Sequence, residues 1–460
     1  MKTTRLVPAR IAASAGALRL LLAVGAWLGA GATGMRGQAG SRIKAPAMAD
    51  AGVFWLAPDK ADRAAARDRL SLYDLPVLGL VEVLREVPAY PADPPRGRLD
   101  RAHRNADGTV HPFTVLVPDG YRPDRDWPVR VWLHGGIGRP AWTETGGWWR
   151  DHQRVADPER IVVLPASWNE SRWWQESQVE SLAAILDELA REYRIDRNRV
   201  HMLGVSDGGT GVYYHAARAA TPWASFLAFI GHAAVLSNPR LGVDGQIYVT
   251  NLRNRPLFIV NGGRDRLYPT SSVEPFIQLF RDNDVPFIYR PQPEAGHDLS
   301  WISEEAARID SFTIANPRDP LPDRVEWEAE GAASGRFAWV SIDEIGDVPG
   351  QSDLPGRNEL TVDGRQGEYL AFPHRLPSGR LEAVREGNSV RVLTDRVARF
   401  RVFVSPDEFE LSRPIRIQVN GRVVHDAVVE PSAPTLLARA EQDRDRTSLF
   451  VAEIEIDLRP

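Results

Sequence analysis

Val200–Gly211 reads VHMLGVSDGGTG. Its first half, carrying Val200, Met202, Leu203 and Val205, is a short apolar run of the kind that forms a buried central strand. Ser206 then sits at the centre of Gly204-Val205-Ser206-Asp207-Gly208, a GxSxG pattern. A strand that turns at once into a helix forces its turn residue into a strained backbone, and glycine on either side leaves room for the close approach. The serine hydroxyl is thereby held out at the strand tip. Behind it, Gly208–Ala220 (GGTGVYYHAARAA) offers small residues where a helix must leave close to a strand, with its positive end toward the serine.

Working outward, further apolar strands are expected at Phe113–Val117, Val129–Leu133, Ile161–Leu164, Phe226–Ile230, Leu257–Val260 and Phe287–Tyr289. They are short, continuous and mostly bounded by Gly or Pro, as strands covered on both faces are. A helix is expected over Val179–Tyr193, where Val179, Leu182, Leu186, Leu189 and Tyr193 share one face. Another should begin at Ser271, with Glu274 completing a capping box. Strands alternating with helices imply a doubly wound, mainly parallel α/β sheet, with chemistry at the carboxyl ends of its strands. After the proline-rich NPRDPLPD at Asn316–Asp323, short alternating runs at Phe337–Ile342, Ser389–Leu393, Phe400–Val404, Ile415–Val419, Val423–Val429 and Leu449–Leu458 predict antiparallel strands. Asn420-Gly421 is a hairpin turn pair. A C-terminal all-β, sandwich-like domain follows. The expected organisation is an export signal at 1–34, an N-terminal helical or extended segment at 35–105, a catalytic domain at 106–318 and a β-rich accessory domain at 319–460, separable from the catalytic one. Within the second segment, 38–61 reads as a mobile lead-in and 62–86 as helical but broken at Pro76.

A serine hydroxyl needs a base, the base an orienting carboxylate, and the developing oxyanion backbone donors. Each part falls at a strand end. Asp265 lies in the glycine-rich turn NGGRDRLYP, and His297 in EAGHDLSW beyond the next strand. Asp298 and Asp284 compete for the acid role, and His232 for the base. The strand Val129–Leu133 runs into His134-Gly135-Gly136, where the glycines let N–H groups approach a ligand. The oxyanion donors are expected to be the N–H groups of Gly136 and Asp207. The Asp207 carboxylate is expected to point away, and His134 to brace the turn.

With these pieces in the order Ser206, Asp265, His297, residues 106–318 resemble an α/β-hydrolase of the group holding bacterial secreted esterases, feruloyl esterases and polyester depolymerases. The matching motifs are LHGG at Leu133, IDRNRVHMLGVSDGG, VNGGRDRLYP and AGHDLSW. The resemblance implies an α/β-hydrolase sheet and a Ser206-His297-Asp265 triad acting on carboxylic esters through an acyl-enzyme, without cofactor or metal. Polyester depolymerases of this type tend to carry cysteine near the oxyanion turn, where this chain has Gly136, which weakens the polyester reading. Tryptophans cluster in the loops after the strand tips. Trp142, Trp148, Trp149, Trp168, Trp173 and Trp174 follow two strand tips and Trp301 follows the histidine. Half of these are expected to pack in the core and the rest to line a cleft suited to an aromatic ester or an acylated carbohydrate, with Trp142, Trp173, Trp174 and Trp301 as the candidates for its walls.

The 460 residues are 43% hydrophobic and 25% charged with a net charge of −5, an ordinary globular balance with no basic stretch to track nucleic acid. There is no cysteine, which excludes thiol catalysis and disulfides. Lys2, Arg5, Arg10 and Arg19 precede an apolar run Leu20–Gly31, and Ala30-Gly31-Ala32 reads as a cleavage site. That run is too short to span a bilayer comfortably. The expected protein is therefore periplasmic or secreted, without stable membrane insertion after signal removal, an uncleaved N-terminal anchor being the alternative, and its partner is a small or polymer-attached ester. Two rivals stand beside that reading: a serine peptidase on the same scaffold, and a non-catalytic glycan or wall binder.

Overall fold

The computed structural model describes residues 34–142, 155–243, 245–351, 354, 356–362 and 365–460. The expected export signal, Trp148 and Trp149 lie outside the described residues. By its internal contacts the chain divides into a unit of residues 1–43 and a unit of residues 44–460. Of the first, the described part is the backbone of 34–43, which is helical.

The second unit is built around an eight-stranded sheet: β1 Gly97–Arg104, β2 Val110–Val117, β3 Trp127–Leu133, β4 Ile161–Pro165, β5 Ile195–Val205, β6 Ser225–Phe229, β7 Leu257–Gly262 and β8 Phe287–Gln292. The order is β1-β2-β4-β3-β5-β6-β7-β8. β1 and β2 run antiparallel, and β3 to β8 are parallel to one another. This is the α/β-hydrolase sheet. β4, β6 and β7 are buried at every residue, because helices cover both faces and an apolar run is then stable throughout its length. All seven strands expected in this region are present. The sheet nevertheless starts at Gly97, so the boundary expected at 106 falls in the turn between its first two strands. GRLDRAHR lacks an apolar run because β1 is an edge strand, half-exposed on alternate residues.

The flanking helices are α4 Glu176–Glu192, α5 Asp207–Arg218, α6 Thr270–Asp282 and α7 Ile302–Ala315, after three N-terminal helices, α1 Gly34–Leu56, α2 Lys60–Leu70 and α3 Val77–Arg85. Two local expectations change. The stretch 38–61 is not a lead-in: its larger part is α1, whose Ala47, Ala51, Phe54 and Trp55 are buried against α2 and α3. The Ser271/Glu274 capping box does not form, since α6 starts one residue earlier behind Pro269, and Glu274 pairs with Arg281 instead. Pro76 breaks the N-terminal pattern where expected, at the start of α3.

The C-terminal part holds β9 Arg324–Ala329, β10 Arg336–Phe337, β11 Val340–Ile345, β12 Glu359–Val362, β13 Arg365–Leu370, β14 Gly379–Glu386, β15 Ser389–Asp395, β16 Val397–Val404, β17 Ile415–Val419, β18 Arg422–Ala427, the helix α8 Ala433–Asp443 and β19 Ala452–Asp457. A five-stranded sheet β18-β17-β15-β14-β9 packs on a four-stranded sheet β10-β11-β16-β19, and Trp327 of one stacks on Phe337 of the other at 4.9 Å. The sandwich is thus present, with three departures from the expected pattern: β9, β12, β13 and β14 lie outside the expected runs, β15 and β17 pair in parallel, and α8 is helical. Asn420 and Gly421 turn β17 into β18 with φ of 47° and 82°, the left-handed pair that such a hairpin needs.

The sandwich and the sheet lie in one unit, 44–460. One apolar core runs through both. The Asn251 side chain donates to Glu328 O at 2.9 Å and accepts from Glu328 N at 2.8 Å, and Asn254 pairs likewise with Glu326. Two asparagines of the connection between β6 and β7 thereby cover the backbone edge of β9, which would otherwise be an open sheet edge. Within the proline-rich segment Arg318 is buried, its N–H donating to Asn198 O at 2.7 Å and its guanidinium to Asn198 Oδ1 at 2.8 Å.

Candidate active site

β5 ends at Val205 and α5 begins at Asp207, which leaves Ser206 alone to make the turn, at φ 57° and ψ −118°. A side chain at either neighbouring glycine would block it: a Cβ on Gly204 would lie 2.1 Å from Gly208 O, and one on Gly208 would lie 2.1 Å from Leu133 O. The strained turn is held by the Ser206 N–H, which donates to Phe229 O at the end of β6 at 2.9 Å.

Ser206 Oγ stands 2.8 Å from His297 Nε2, and His297 Nδ1 stands 2.7 Å from Asp265 Oδ2. Asp265 follows β7 and its side chain is fully buried. Its other oxygen accepts the N–H groups of Leu267 at 2.7 Å and Tyr268 at 2.9 Å, which fixes the carboxylate plane. With Nδ1–H donating to Asp265, the lone pair of Nε2 faces the serine hydroxyl, and the histidine is set to take its proton. The Tyr268 ring meets the imidazole edge-on at 5.6 Å, and burial raises the Tyr268 phenol, which stays neutral.

The competing residues are elsewhere. Asp298 is exposed and accepts from the Ser300 N–H. Asp284 is exposed at a left-handed position beyond α6. His232 is buried, accepts from the Ala234 N–H through Nδ1 and donates through Nε2 to Ser272 O, and burial lowers its pKa.

The turn after β3 lies against the serine: a Cβ on Gly135 would come within 2.8 Å of Ser206 Cβ. Gly136 takes φ +67°, a left-handed conformation that glycine adopts without strain. His134 braces this turn from inside. Burial pushes its pKa down to about 4. The neutral ring accepts the Ser167 N–H at Nε2 (3.0 Å) and donates from Nδ1 to Gly135 O (2.8 Å), while its carbonyl accepts Trp173 Nε1–H (2.8 Å). Asp207 does not point away as expected. Its Oδ2 accepts the Ile137 N–H at 3.0 Å and ties the first residue of α5 to the turn. Arg139, which the sequence reading passed over, donates from Nε to Gly136 O at 2.7 Å and lies 4.8 Å from the Trp142 ring centre. Its signal was a charged residue closing the glycine run HGGIGR, a pattern that on its own reads as solvated surface. The N–H of Asp207 opens α5, where helical N–H groups have no partner within the helix.

Of the four tryptophans expected to line the cleft, three belong to the core. Trp173, Trp174 and Trp301 are all but completely buried. Each indole N–H is bound to a backbone carbonyl, of His134, Leu241 and Asp298 respectively. An indole in a loop next to a strand tip serves packing as readily as recognition, and composition does not separate the two. Trp142 alone of the four keeps partial exposure, 6.2 Å from the His134 ring.

No family model matches the chain. Over 184 residues, 39% of the chain, it is 26% identical to the bifunctional acetylxylan esterase/xylanase XynS20E of Neocallimastix patriciarum, and it spans about a quarter of that protein's length. Among solved structures it is similar to a ferulic acid esterase, with 19% identity, 48% of this chain and 97% of the other covered, and a TM-score of 0.37. It is likewise similar to a putative dipeptidyl aminopeptidase IV from Bacteroides ovatus, with 16% identity, 48% and 36% covered, and a TM-score of 0.40.

Proposed function

We propose that the protein is a serine hydrolase that cleaves carboxylic esters through an acyl-enzyme. The observation that carries this reading is the unbroken hydrogen-bonded line from Ser206 Oγ through His297 to the buried Asp265 carboxylate, at 2.8 and 2.7 Å. Ser206 Oγ attacks the ester carbonyl carbon as its proton passes to His297 Nε2, and the carbonyl π electrons move onto oxygen. The N–H groups of Gly136 and Asp207 receive that oxyanion. The intermediate collapses, the C–O bond to the alcohol breaks, and the alcohol leaves with the proton from Nε2. Water then enters by the same route and frees the acid. Asp265 stays ionised throughout and holds the imidazolium.

The acyl-carbohydrate or aromatic-ester reading of the substrate rests on Trp142 beside the turn and on the similarity to an acetylxylan esterase. Export through the N-terminal 34 residues, and a periplasmic or secreted location, belong to the same proposal and draw on the basic start and apolar run of that segment.

Labelling with a fluorophosphonate probe, followed by assay on nitrophenyl, feruloyl and acetylated-sugar esters and on peptide amides, tests it. The wild-type protein should label at Ser206 and turn over esters, and Ser206→Ala should do neither. Asp265→Asn should cost about 10⁴-fold in turnover, because the amide favours the wrong imidazole tautomer, whereas Asp298→Asn should stay within a few fold. Labelling at another serine, or turnover of amides alone, would overturn the assignment.

A further inference from the structure

The turn after β3 carries more restraint than a glycine loop needs, and the restraints fall on particular peptide planes. The Gly136–Ile137 peptide is held at both ends by opposite charges: its carbonyl accepts from Arg139 Nε at 2.7 Å and its N–H donates to Asp207 Oδ2 at 3.0 Å. The preceding peptide is held at its carbonyl by His134 Nδ1–H at 2.8 Å. Arg139 is itself fixed in the chain, its N–H donating to Ile137 O at 2.7 Å and its carbonyl accepting the Asn169 N–H at 2.9 Å. Among the described residues the Gly136 N–H donates to no protein acceptor. Two successive peptide planes are thus locked, and the one N–H between them is left for the substrate.

Glycine alone would let this turn rotate, since Gly136 at φ +67° has the widest backbone freedom of any residue. Preorganised donors act on an oxyanion because they need no reorganisation when the charge develops. We infer that Asp207 and Arg139 are positioning residues that clamp the Gly136–Ile137 peptide and so aim the Gly136 N–H at the oxyanion. The inference rests on the serine-hydrolase reading and deepens it. The aspartate after the nucleophile thereby serves twice, its N–H as a donor and its carboxylate as the anchor of the other donor. Its negative charge, next to a site where negative charge develops, is absorbed by the Ile137 N–H and by the positive end of α5.

The competing account is that Asp207 merely stabilises the first turn of α5. That account predicts lower stability and an unchanged turnover per folded molecule. The test is steady-state hydrolysis of a nitrophenyl ester by Asp207→Ala, Asp207→Asn and Arg139→Ala, with active sites counted by fluorophosphonate titration carried to its end point. Arg139 is exposed, so its variant keeps the fold whatever Asp207→Ala does. In Asp207→Ala, kcat and kcat/KM per titrated site should fall together by about 10- to 100-fold, short of the full loss of an oxyanion donor. Arg139→Ala should fall in the same way by a smaller factor. Asp207→Asn should recover most of the loss, since its Oδ1 accepts the same N–H. Unchanged kcat per site in both alanine variants would overturn the clamp, as would an asparagine variant no better than alanine. Failure of the wild-type enzyme to label or turn over would instead overturn the serine-hydrolase reading.

Discussion

Ser206 has a backbone that an L-residue rarely holds, at φ 57° and ψ −118°, and the residues around it keep it there: Gly204 and Gly208 admit the close approach, and Phe229 O holds its N–H. Strain of this kind costs of order 1–3 kcal/mol. Ser206→Gly and Ser206→Ala should both be inactive, but the glycine variant should unfold at a higher denaturant concentration than the alanine variant, by about 1 kcal/mol, because only glycine relaxes the turn. Equal midpoints would mean that the turn stores no strain. The same geometry explains why this residue was legible in the sequence. The glycines are required by contact distances, and the triad order follows from successive strand tips. Of the side chains that brace the turn, His134 was legible and the two charged ones were not. Asp207 and Arg139 act through bonds to backbone atoms whose positions only the fold supplies, and Trp173, Trp174 and Trp301 carry the same composition signal whether they face a cleft or a core.

Whole elements were legible where both faces are covered, as in β3 to β7, and obscured where packing is one-sided. β1 alternates charge with half-burial at the sheet edge, and α1 hides its stripe of Ala47, Ala51, Phe54 and Trp55 among small residues. What α1 packs on explains why it is helical. Arg444, at the left-handed end of α8, donates to Phe54 O at 2.9 Å and Trp55 O at 2.7 Å, two carbonyls of the last turn of α1, and to Asp187 Oδ1 of α4 at 2.9 Å. One cation thus caps a helix and joins three elements. Arg444→Ala should lower the unfolding free energy by about 3 kcal/mol. Arg444→Gly should lose less, since glycine suits the αL position at φ 51°. Denaturant midpoints of the two variants decide this, and a loss below about 0.5 kcal/mol in the alanine variant would remove Arg444 from the role.

At the scale of the molecule, the proline-rich segment at 316–323 reads as a boundary, yet one core continues across it. A chain ending near Asn316 should therefore be poorly soluble and should lose near-ultraviolet circular dichroism. A soluble, cooperatively unfolding and active fragment would refute the single-core description. Acid should weaken the whole chain earlier than its carboxylates alone would. Burial lowers His134 and His215 to about 4 and His201 to about 3. Unfolded, each titrates near 6.5, so between about 6.5 and 4 the unfolded chain binds protons that the folded one refuses. Stability is full above that window and falls as pH drops through it, by up to about 1.4 kcal/mol per pH unit for each histidine. Urea unfolding at pH 7.5 and at pH 5.0 measures this, and equal free energies at the two would contradict it. The helical cluster that joins Phe54 and Leu84 to Leu436 and Leu449 also sets a timetable. The Arg444 bond to Phe54 spans 390 residues. At synthesis rates of about 5–20 residues per second, α1 to α3 wait roughly 20–80 s for the partners that cover them. These helices are the segment on which a holding chaperone would act until α8 emerges.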